Sequence, residues 1–150
     1  VRTLFFVYAV ISFAISASRI VDSDACKTFV FQGSAGRWVP RFEWLAGVGL
    51  TKYNNGNGTP KSEYYTLGGD NASYNASGNG EWRRYYYEKD DLYYFSGFVL
   101  DCGFHSTIPS LGPAENQVGR KISHGCVRLL IQNAKWIYDN CARGTRVVSY

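Results

Sequence analysis

The sequence predicts a mainly β fold, a sandwich or barrel-like mixed sheet, with one helix close to its C-terminal end. Three observations predict it. Aromatic residues make up 17% and hydrophobic residues 45% of the 150 residues, which is typical of a globular β-rich chain and argues against disorder. Short alternating segments separated by turn residues follow one another from residue 19 onward. A single helical pattern stands before the last strand, and the length suits one domain.

Three strands are predicted in the first part of this domain. Each is rich in β-branched and aromatic residues, and the turns between them are rich in Asp, Ser and Gly. Pro40 places the start of the third strand at an edge or a bend, because proline cannot donate to a strand ladder. The predicted strands are 20–21, 27–31 and 38–49, and the predicted turns are 22–25 and 32–36.

The middle of the chain predicts a long surface loop followed by an aromatic segment. Residues 51–80 are polar and turn-rich, with one short strand at 64–67, and such loops often bind ligands. Residues 82–98 carry eight aromatic side chains around the charged turn 88–91, which indicates a strand, a loop and a strand. Half-buried strand faces explain these rings, and stacking on sugar rings is the alternative.

The last part of the chain predicts the helix and a closing strand. Asn133 is a plausible N-cap, and the helical spacing of four later residues predicts a buried stripe. Gly144 suits the left-handed conformation that ends such a helix, and residues 145–150 predict the final strand. The stripe consists of Ala134, Ile137, Tyr138 and Cys141.

Residues 1–18 predict a leader, and residues 19–150 then form the domain. Residues 4–17 carry no charge and are short for a spanning helix, so they suit a signal-peptide core or a membrane anchor. The competing interpretation is a pair of buried strands, since Val, Ile and Phe dominate the segment. A leader of this kind predicts an extracytoplasmic protein.

The charge of the chain bears on its partners. The net charge is +4, and the sixteen basic residues are scattered, whereas nucleic-acid binding usually shows a basic patch. We therefore expect no nucleic-acid partner. A mildly positive chain suits an anionic polymer such as cell wall. No internal repeat or linker to a second domain is visible, and we expect a monomer.

The four cysteines do not form the dense pattern of a disulfide scaffold. If Cys126 stays free, the other three allow one bridge at most. We expect these three to be packing residues, and a single bridge among them is the alternative. They are Cys26, Cys102 and Cys141.

One motif, residues 123–128, indicates chemistry, and its Cys126 is predicted to lie on a loop that enters the helix. Gly125 stands between His124 and Cys126, so the backbone can turn tightly and approach a ligand. A thiol has a free pKa of about 8.5 and needs a neighbour to take its proton, and His105 offers an imidazole base. A buried inert cysteine is the plain alternative. A third interpretation is a zinc site formed by both histidines and the cysteine, although no pair of these residues has the short spacing typical of zinc ligands.

This motif resembles the signature of the L,D-transpeptidase catalytic domain (YkuD-type). Residues 106–122 separate His105 from Ser123, a spacing that the family's signature allows. Three flanking segments also resemble the family, although Ser62 and Tyr64 replace a glycine and a phenylalanine of its Thr-Pro element. These segments are 59–61, 104–107 and 144–148.

The resemblance implies a peptidoglycan L,D-transpeptidase. Cys126 then attacks the third residue of a tetrapeptide stem, D-Ala leaves, and an amine of a second stem takes the acyl group as a 3→3 cross-link. Water as acceptor makes the enzyme an L,D-carboxypeptidase. A cell-wall binding module without catalysis is a further alternative. The family requires no metal and no organic cofactor.

The resemblance also implies roles for single residues. His105 matches the family's general base, and the backbone carbonyl of Ser106 orients its ring. The amides of Gly125 and Cys126 are candidate oxyanion donors. His124 is expected to line the site, and the alternative is that it acts as the base in place of His105.

Two further motif residues are candidates for substrate binding. They are Ser123 and Arg128. Arg128 could pair with a stem carboxylate, and a structural salt bridge is the alternative.

Overall fold

The computed structural model describes residues 17–34, 36–66, 82–84, 91–99 and 102–150. These residues form two five-stranded sheets, a two-stranded ribbon, one α-helix and three short 3-10 helices. The mainly β fold predicted from the sequence is therefore confirmed. In the part of the chain that the structure describes, no helix has the length and apolar character needed to cross a bilayer.

The strands are bounded as follows. The first five are β1 (Ala17–Asp22), β2 (Lys27–Ser34), β3 (Arg37–Leu45), β4 (Gly47–Gly49) and β5 (Ser62–Tyr65). The next four are β6 (Trp82–Arg84), β7 (Asp91–Tyr93), β8 (Ser96–Val99) and β9 (Cys102–Ser106). The last three are β10 (Arg120–Ser123), β11 (Val127–Leu129) and β12 (Arg146–Ser149). The helix α1 spans Ile131–Asn140, and the 3-10 helices are Asn54–Gly56, Pro109–Leu111 and Ala114–Gln117.

Strand order separates a supporting sheet from the sheet that carries the motif. The first sheet has the order β3-β2-β1-β12-β5, and the second has the order β10-β4-β11-β9-β8. The strands β6 and β7 form the ribbon. The motif residues surround β11, the central strand of the second sheet, so they are held by neighbours on both sides.

The hairpin of β1 and β2 confirms the first predicted strands and turn. Thr28 and Val30 alternate with more exposed neighbours and are fully buried. The carboxylate of Asp22 accepts the amides of Asp24 and Ala25 at 3.0 and 2.8 Å, an Asx turn that reverses the chain. β1 begins at Ala17, so the last two residues of the predicted leader pair within this sheet. Residues 1–16 lie outside the described residues.

The prediction of one strand over residues 38–49 is wrong. The chain crosses from the first sheet to the second at Ala46, between β3 and β4. The amide of Ala46 donates to the carbonyl of Cys26 at 2.8 Å, and its carbonyl accepts the amide of Gly119 at 2.9 Å. Both flanks of the crossing contain apolar residues, so the sequence shows no break there. Pro40 does lie in an edge strand, as predicted.

The helix begins earlier than predicted. Its N-cap is Leu130, because β11 leads directly into it, and Asn133 lies inside the first turn. Ala134 and Ile137 are fully buried, which confirms two members of the predicted stripe. Tyr138 is half-buried, and Cys141 is buried but follows the end of the helix. The helix ends at Asn140. Gly144 has a φ of +84°, but it lies in the turn that leads to β12 and does not cap the helix.

The middle of the chain is described in part. β5 covers two of the four residues of the strand predicted at 64–67, shifted toward the N-terminus. The described part of the aromatic segment contains residues of three short strands, β6, β7 and β8, where two were predicted. Residues 67–81 and 85–90 lie outside the described residues, and they include the second part, 67–80, of the predicted surface loop.

The core lies between the two sheets and under α1. It includes Phe104, Val127 and Leu129 from the motif sheet, together with the buried face of α1. All four cysteines are free and buried, and Cys26, Cys102 and Cys141 lie in the core with no bridge among them. Arg19 of β1 is also fully buried, and its guanidinium has no hydrogen-bond partner within the described part of the chain.

Candidate active site

The motif sheet brings the two predicted catalytic residues together. β9 and β11 pair in parallel, with His105 beside Arg128. Cys126 directly precedes β11, so the same register places it beside Gly103, two residues before His105. The side chain of His105 hydrogen-bonds to the Cys126 thiol. His105 is 2% exposed and Cys126 is 9% exposed, so the pair is largely removed from water.

Cys126 lies in a tight loop between β10 and β11. The sequence predicted a loop entering a helix, and this is corrected, because β11 stands between the cysteine and α1. The hydroxyl of Ser123 donates to the carbonyl of Cys126 at 2.5 Å and accepts the amide of Gly125 at 3.1 Å. Ser123 is buried, and both of these bonds stay inside the loop. The structure thus gives Ser123 a role in holding the loop.

Gly125 has no room for a side chain. Its φ is +152°, a conformation that L residues rarely adopt. A Cβ here would lie 2.7 Å from Nδ2 of Asn54 and 2.7 Å from Sγ of Cys102. A side chain at position 125 is therefore disfavoured both by these two close neighbours and by the backbone conformation of the turn.

The surroundings of Cys126 favour its thiolate. The pKa of the Cys126 thiol is held well below its ordinary value, first by a hydrogen bond with Cys102. A hydrogen bond with His105, the charge of that imidazole and the amide of Gly103 act in the same direction. Burial opposes them, because it penalises the charged sulfur. The favourable contacts outweigh the burial penalty, so the thiol pKa is lowered on balance.

His105 is oriented by the residue that follows it. Nδ1 of its ring lies 2.6 Å from the carbonyl oxygen of Ser106, the contact that the resemblance implied. A carbonyl can only accept, so Nδ1 carries the proton and Nε2 is left as the base toward the thiol. The ring of Phe95 stacks on the imidazole with 6.3 Å between centroids. The hydroxyl of Ser106 accepts the amide of Tyr93 at 3.0 Å, which ties β9 to the ribbon.

His124 lies on the outer side of the loop. Its side chain is exposed, and its ring contacts the ring of Tyr53 edge-on with 4.4 Å between centroids. Its carbonyl accepts a hydrogen bond from the side chain of Asn54 at 2.9 Å. This placement suits a residue that lines the site, and the contact with the Cys126 thiol comes from His105 instead.

Arg128 is buried in the central strand of the motif sheet, where it is 8% exposed. It pairs with His105 on one side and with Gly47 on the other. A Cβ on Gly47 would approach the Cβ of Arg128 to 3.2 Å, so the strands are closely packed at this point.

Metal binding is not supported by the arrangement of the candidate ligands. Across the described ranges, no group of three or more His, Cys, Asp or Glu side chains converges in a way that could hold a metal ion. The set that the sequence left open, two histidines and a cysteine, is described in full. His105 is buried beside Cys126, while His124 faces outward.

Sequence reasoning missed three residues that build the site. They are Asn54, Cys102 and Gln117. Asn54 reaches the nucleophile loop from a distant loop, and Cys102 contacts the nucleophile although it was predicted to serve packing alone. Asn54 stands in a glycine-rich turn, and Cys102 stands three residues before His105; neither position carries a signal that a single sequence reveals.

Gln117 secures the segment that covers the site. Its amide donates to the carbonyls of Ile108 and Gly112 at 2.8 and 2.9 Å, and its carbonyl accepts the amide of Ile108 at 2.9 Å. Ile108 belongs to the apolar cluster that contains Cys126. A buried glutamine with all these bonds satisfied keeps this cover in place.

Comparison with known proteins indicates the same family that the motif resembles. A family profile described as the L,D-transpeptidase catalytic domain (YkuD) matches residues 18–148. YciB of Bacillus subtilis (strain 168), provisionally named an L,D-transpeptidase, is 53% identical over 32 residues. That alignment covers 21% of this chain and 16% of YciB.

Several solved structures share the fold. A Clostridium acetobutylicum ATCC 824 protein, described as a fused Zn-dependent amidase/peptidase/peptidoglycan-binding domain-containing protein, is similar with a TM-score of 0.65 at 22% identity. An L,D-transpeptidase of Mycobacterium tuberculosis H37Rv has a TM-score of 0.65 at 18% identity. The L,D-transpeptidase LdtMt1, solved in complex with imipenem, has a TM-score of 0.64 at 16% identity.

The three alignments cover nearly all of this chain but only part of each solved structure. They include 90%, 91% and 91% of this chain, in the same order. They include 52%, 58% and 59% of the solved chains. The chain thus spans between half and three fifths of those proteins, and identities this low establish the shared fold alone.

Proposed function

Because the chain belongs to the L,D-transpeptidase catalytic domain family (YkuD), as its motif predicted, we propose that it is a peptidoglycan L,D-transpeptidase that forms 3→3 cross-links. The observation that carries the proposal is the hydrogen bond between His105 and the Cys126 thiol. An imidazole on a thiol, itself oriented by a third group, is the arrangement that activates a sulfur nucleophile. Here the third group is the carbonyl of Ser106.

Acylation begins with the proton of the thiol. Nε2 of His105 accepts it, while Nδ1 keeps its hydrogen bond to Ser106. The sulfur of Cys126 attacks the carbonyl carbon of the third residue of a tetrapeptide stem, and the C–S bond forms as the carbonyl becomes an oxyanion. The imidazolium then returns the proton to the nitrogen of D-Ala, the C–N bond breaks, and D-Ala leaves. A thioester remains on Cys126.

The oxyanion needs fixed donors at the loop. The candidate donors are the amides of Gly125 and Cys126, and that of Gly125 donates to the Ser123 hydroxyl at 3.1 Å. This bond would exchange for the oxyanion, because a charged acceptor binds a donor more strongly than a neutral hydroxyl does. In other enzymes, removing one such donor costs about 3 to 4 kcal/mol of transition-state stabilisation.

The second half-reaction resolves the thioester. A side-chain amine of another stem attacks the carbonyl carbon, His105 takes the amine proton, and the sulfur of Cys126 leaves. The product is a peptide cross-link between two stems. If water attacks instead, the product is a shortened stem, which is the L,D-carboxypeptidase outcome.

The remaining partners follow from the same proposal. The donor tetrapeptide and the amine acceptor both belong to peptidoglycan, so the enzyme acts outside the cytoplasm. The net charge of +4 suits an anionic wall. Arg128 remains a candidate for a stem carboxylate, and His124 for lining the groove. Anchoring through residues 4–17 stays a prediction.

Carbapenem acylation of Cys126 belongs to the same proposal. LdtMt1 shares the fold and has been solved in complex with imipenem, which supports this expectation. A carbapenem presents a strained carbonyl to the sulfur and gives a covalent adduct without a second substrate.

Intact-mass measurement of the protein after incubation with a tetrapeptide stem and an amine acceptor tests the proposal. The expected result is released D-Ala, a transient acyl adduct and a cross-linked dimer of stems. Cys126→Ser should give none of these. Cys141→Ser, which changes a buried thiol beyond the end of α1, should keep all three. A folded protein that binds stems without any adduct would instead support a non-catalytic binding module.

A further inference from the structure

A second thiol lies against the nucleophile, and the acyl-transfer steps above do not use it. Cys102 is the first residue of β9 and stands three residues before His105 on the same strand. It is free, and it is 5% exposed. Free buried cysteines usually serve as small apolar side chains, so a functional role needs a specific contact.

Two geometric observations give that contact. The parallel register of β9 and β11, continued by two residues, places Cys102 beside Gly125. A Cβ built on Gly125 would lie 2.7 Å from Sγ of Cys102, so the sulfur fills the space that this glycine leaves open. The sulfur therefore contacts the residue that directly precedes Cys126. In agreement with this placement, a hydrogen bond with Cys102 is the largest cause of the lowered pKa of the Cys126 thiol.

We propose that Cys102 is a positioning residue for Cys126, whose S–H donates a hydrogen bond to the Cys126 sulfur and holds it as a thiolate in front of His105. This inference rests on the proposed function. A thiolate can only accept, so the donor is the Cys102 side of the pair. A hydrogen bond to an ionised acceptor is about twice as strong as one between neutral groups, and it stabilises the charged form.

The neighbourhood explains why a second donor is needed. Cys126 lies in an apolar cluster with Leu92, Phe95 and Ile108, none of which can stabilise a charge. Burial of this kind favours the neutral thiol. His105 and the amide of Gly103 offset this penalty in part, and the hydrogen bond with Cys102 makes the largest contribution.

Few titratable groups act on the pair within the described part of the chain. Among these groups, His105 on β9 acts on Cys126 besides Cys102. Burial first, and then the charge of Cys102, raise the pKa of the Tyr64 phenol on β5. The loop that carries Asn54 contributes an uncharged amide. A substitution of Cys102 should therefore alter mainly the pKa of Cys126.

The pH dependence of Cys126 alkylation by iodoacetamide tests the proposal. The rate follows the thiolate fraction, and peptide mass spectrometry assigns it to Cys126 among the four cysteines. Cys102→Ala should move the midpoint upward by about one to two pH units, the range expected for a lost hydrogen bond to a charged group. Cys102→Ser, which keeps a donor, should retain a large part of the wild-type midpoint. Cys141→Ala, a matched buried thiol, should leave it unchanged.

The outcomes separate positioning from packing. If the folded Cys102→Ala protein keeps the wild-type midpoint, the proposal is overturned. Equal upward shifts in the Ala and Ser variants, with folding intact by circular dichroism, overturn it as well, since lost packing would then suffice. If the Ala variant does not fold, the midpoint of Cys102→Ser is compared with that of Cys102→Val, which restores the side-chain volume but has no hydrogen-bond donor. Alkylation needs no stem peptide, so these results are independent of whether the protein cross-links peptidoglycan.

Discussion

The side-chain amide of Asn54 lies 2.9 Å from the carbonyl oxygen of His124, although 70 residues separate the two. The same amide also bonds to the carbonyl of Gly58. Asn54 itself has a φ of +53°, which asparagine tolerates better than most residues. This side chain therefore ties the loop before β5 to the loop that carries the nucleophile.

Replacing Asn54 should loosen the nucleophile loop. Asn54→Gly keeps the backbone conformation and removes the amide, so it tests the hydrogen bonds alone. We expect acylation of Cys126 by imipenem to slow by about two- to tenfold, the equivalent of about 0.5 to 1.5 kcal/mol. Asn57→Ala, an exposed change in the same loop, serves as the control. An unchanged acylation rate in Asn54→Gly would remove Asn54 from the site.

The two histidines should differ sharply in their effect. His105→Ala removes the base that contacts the thiol, and we expect acylation to fall by about 10² to 10⁴-fold. His124→Ala leaves this contact in place and should keep most of the rate. Stopped-flow or mass-resolved acylation of both variants provides the measurement. If His124→Ala is the inactive variant and His105→Ala is not, the assignment of the base is wrong.

The lowered pKa of Cys126 predicts a specific pH dependence. The hydrogen bond with Cys102, followed by the contacts with His105, holds the thiol pKa well below its ordinary value, so alkylation should persist below that value. The folded pKa is also below the unfolded one, so this group stabilises the protein fully above the unfolded pKa. That stability is lost as the pH falls through the folded pKa. The unfolding free energy of the wild type minus that of Cys126→Ala should rise with pH accordingly, and a flat difference would contradict the shift.

Gly125→Ala should destabilise the protein more than an alanine at another left-handed glycine. Its Cβ meets Asn54 and Cys102 at 2.7 Å, whereas a Cβ on Gly56, at a φ of +89°, meets nothing within 4 Å. Gly56→Ala should lower the unfolding free energy by about 1 to 2 kcal/mol because of its backbone conformation. Gly125→Ala should lower it by a further 1 to 3 kcal/mol, roughly, because its Cβ overlaps neighbouring atoms. Urea denaturation of both variants measures the difference, and equal losses would argue against close packing at Gly125.

Arg19→Met should stabilise the protein at neutral pH. Burial lowers the pKa of the Arg19 guanidinium to about 9, and the charge has no hydrogen-bond partner in the described structure. A cation whose folded pKa lies below its unfolded value destabilises the native state until the pH exceeds that folded value. We expect a gain of about 1 to 4 kcal/mol in unfolding free energy, shrinking above pH 9.

Arg37→Met is the matched control for this change, since Arg37 is exposed at the start of β3. It should alter the unfolding free energy by no more than about 0.5 kcal/mol. A loss of stability in Arg19→Met would mean that the buried guanidinium contributes packing that methionine cannot replace.

The part of the site that could be predicted from the sequence is the part whose residues lie in one short motif or at a fixed spacing from it. The nucleophile, its glycine turn and the following arginine occupy residues 123–128, and His105 precedes them at the family spacing. The buried stripe of α1 is likewise a local pattern, and it was predicted correctly although the N-cap was not. The N-cap was misplaced because β11 continues directly into the helix, and no capping side chain marks the junction.

The sequence by itself determined the mainly β class, the family and the candidate catalytic pair, because each depends on residue type and short-range order. Only the tertiary structure decided which distant residues meet at the sulfur. Cys102, Asn54 and the crossing at Ala46 depend on strand order and register, and these follow from burial over the whole domain. A hydrogen bond across two strands leaves no periodic trace in either one, so it becomes visible only after the sheet is assembled.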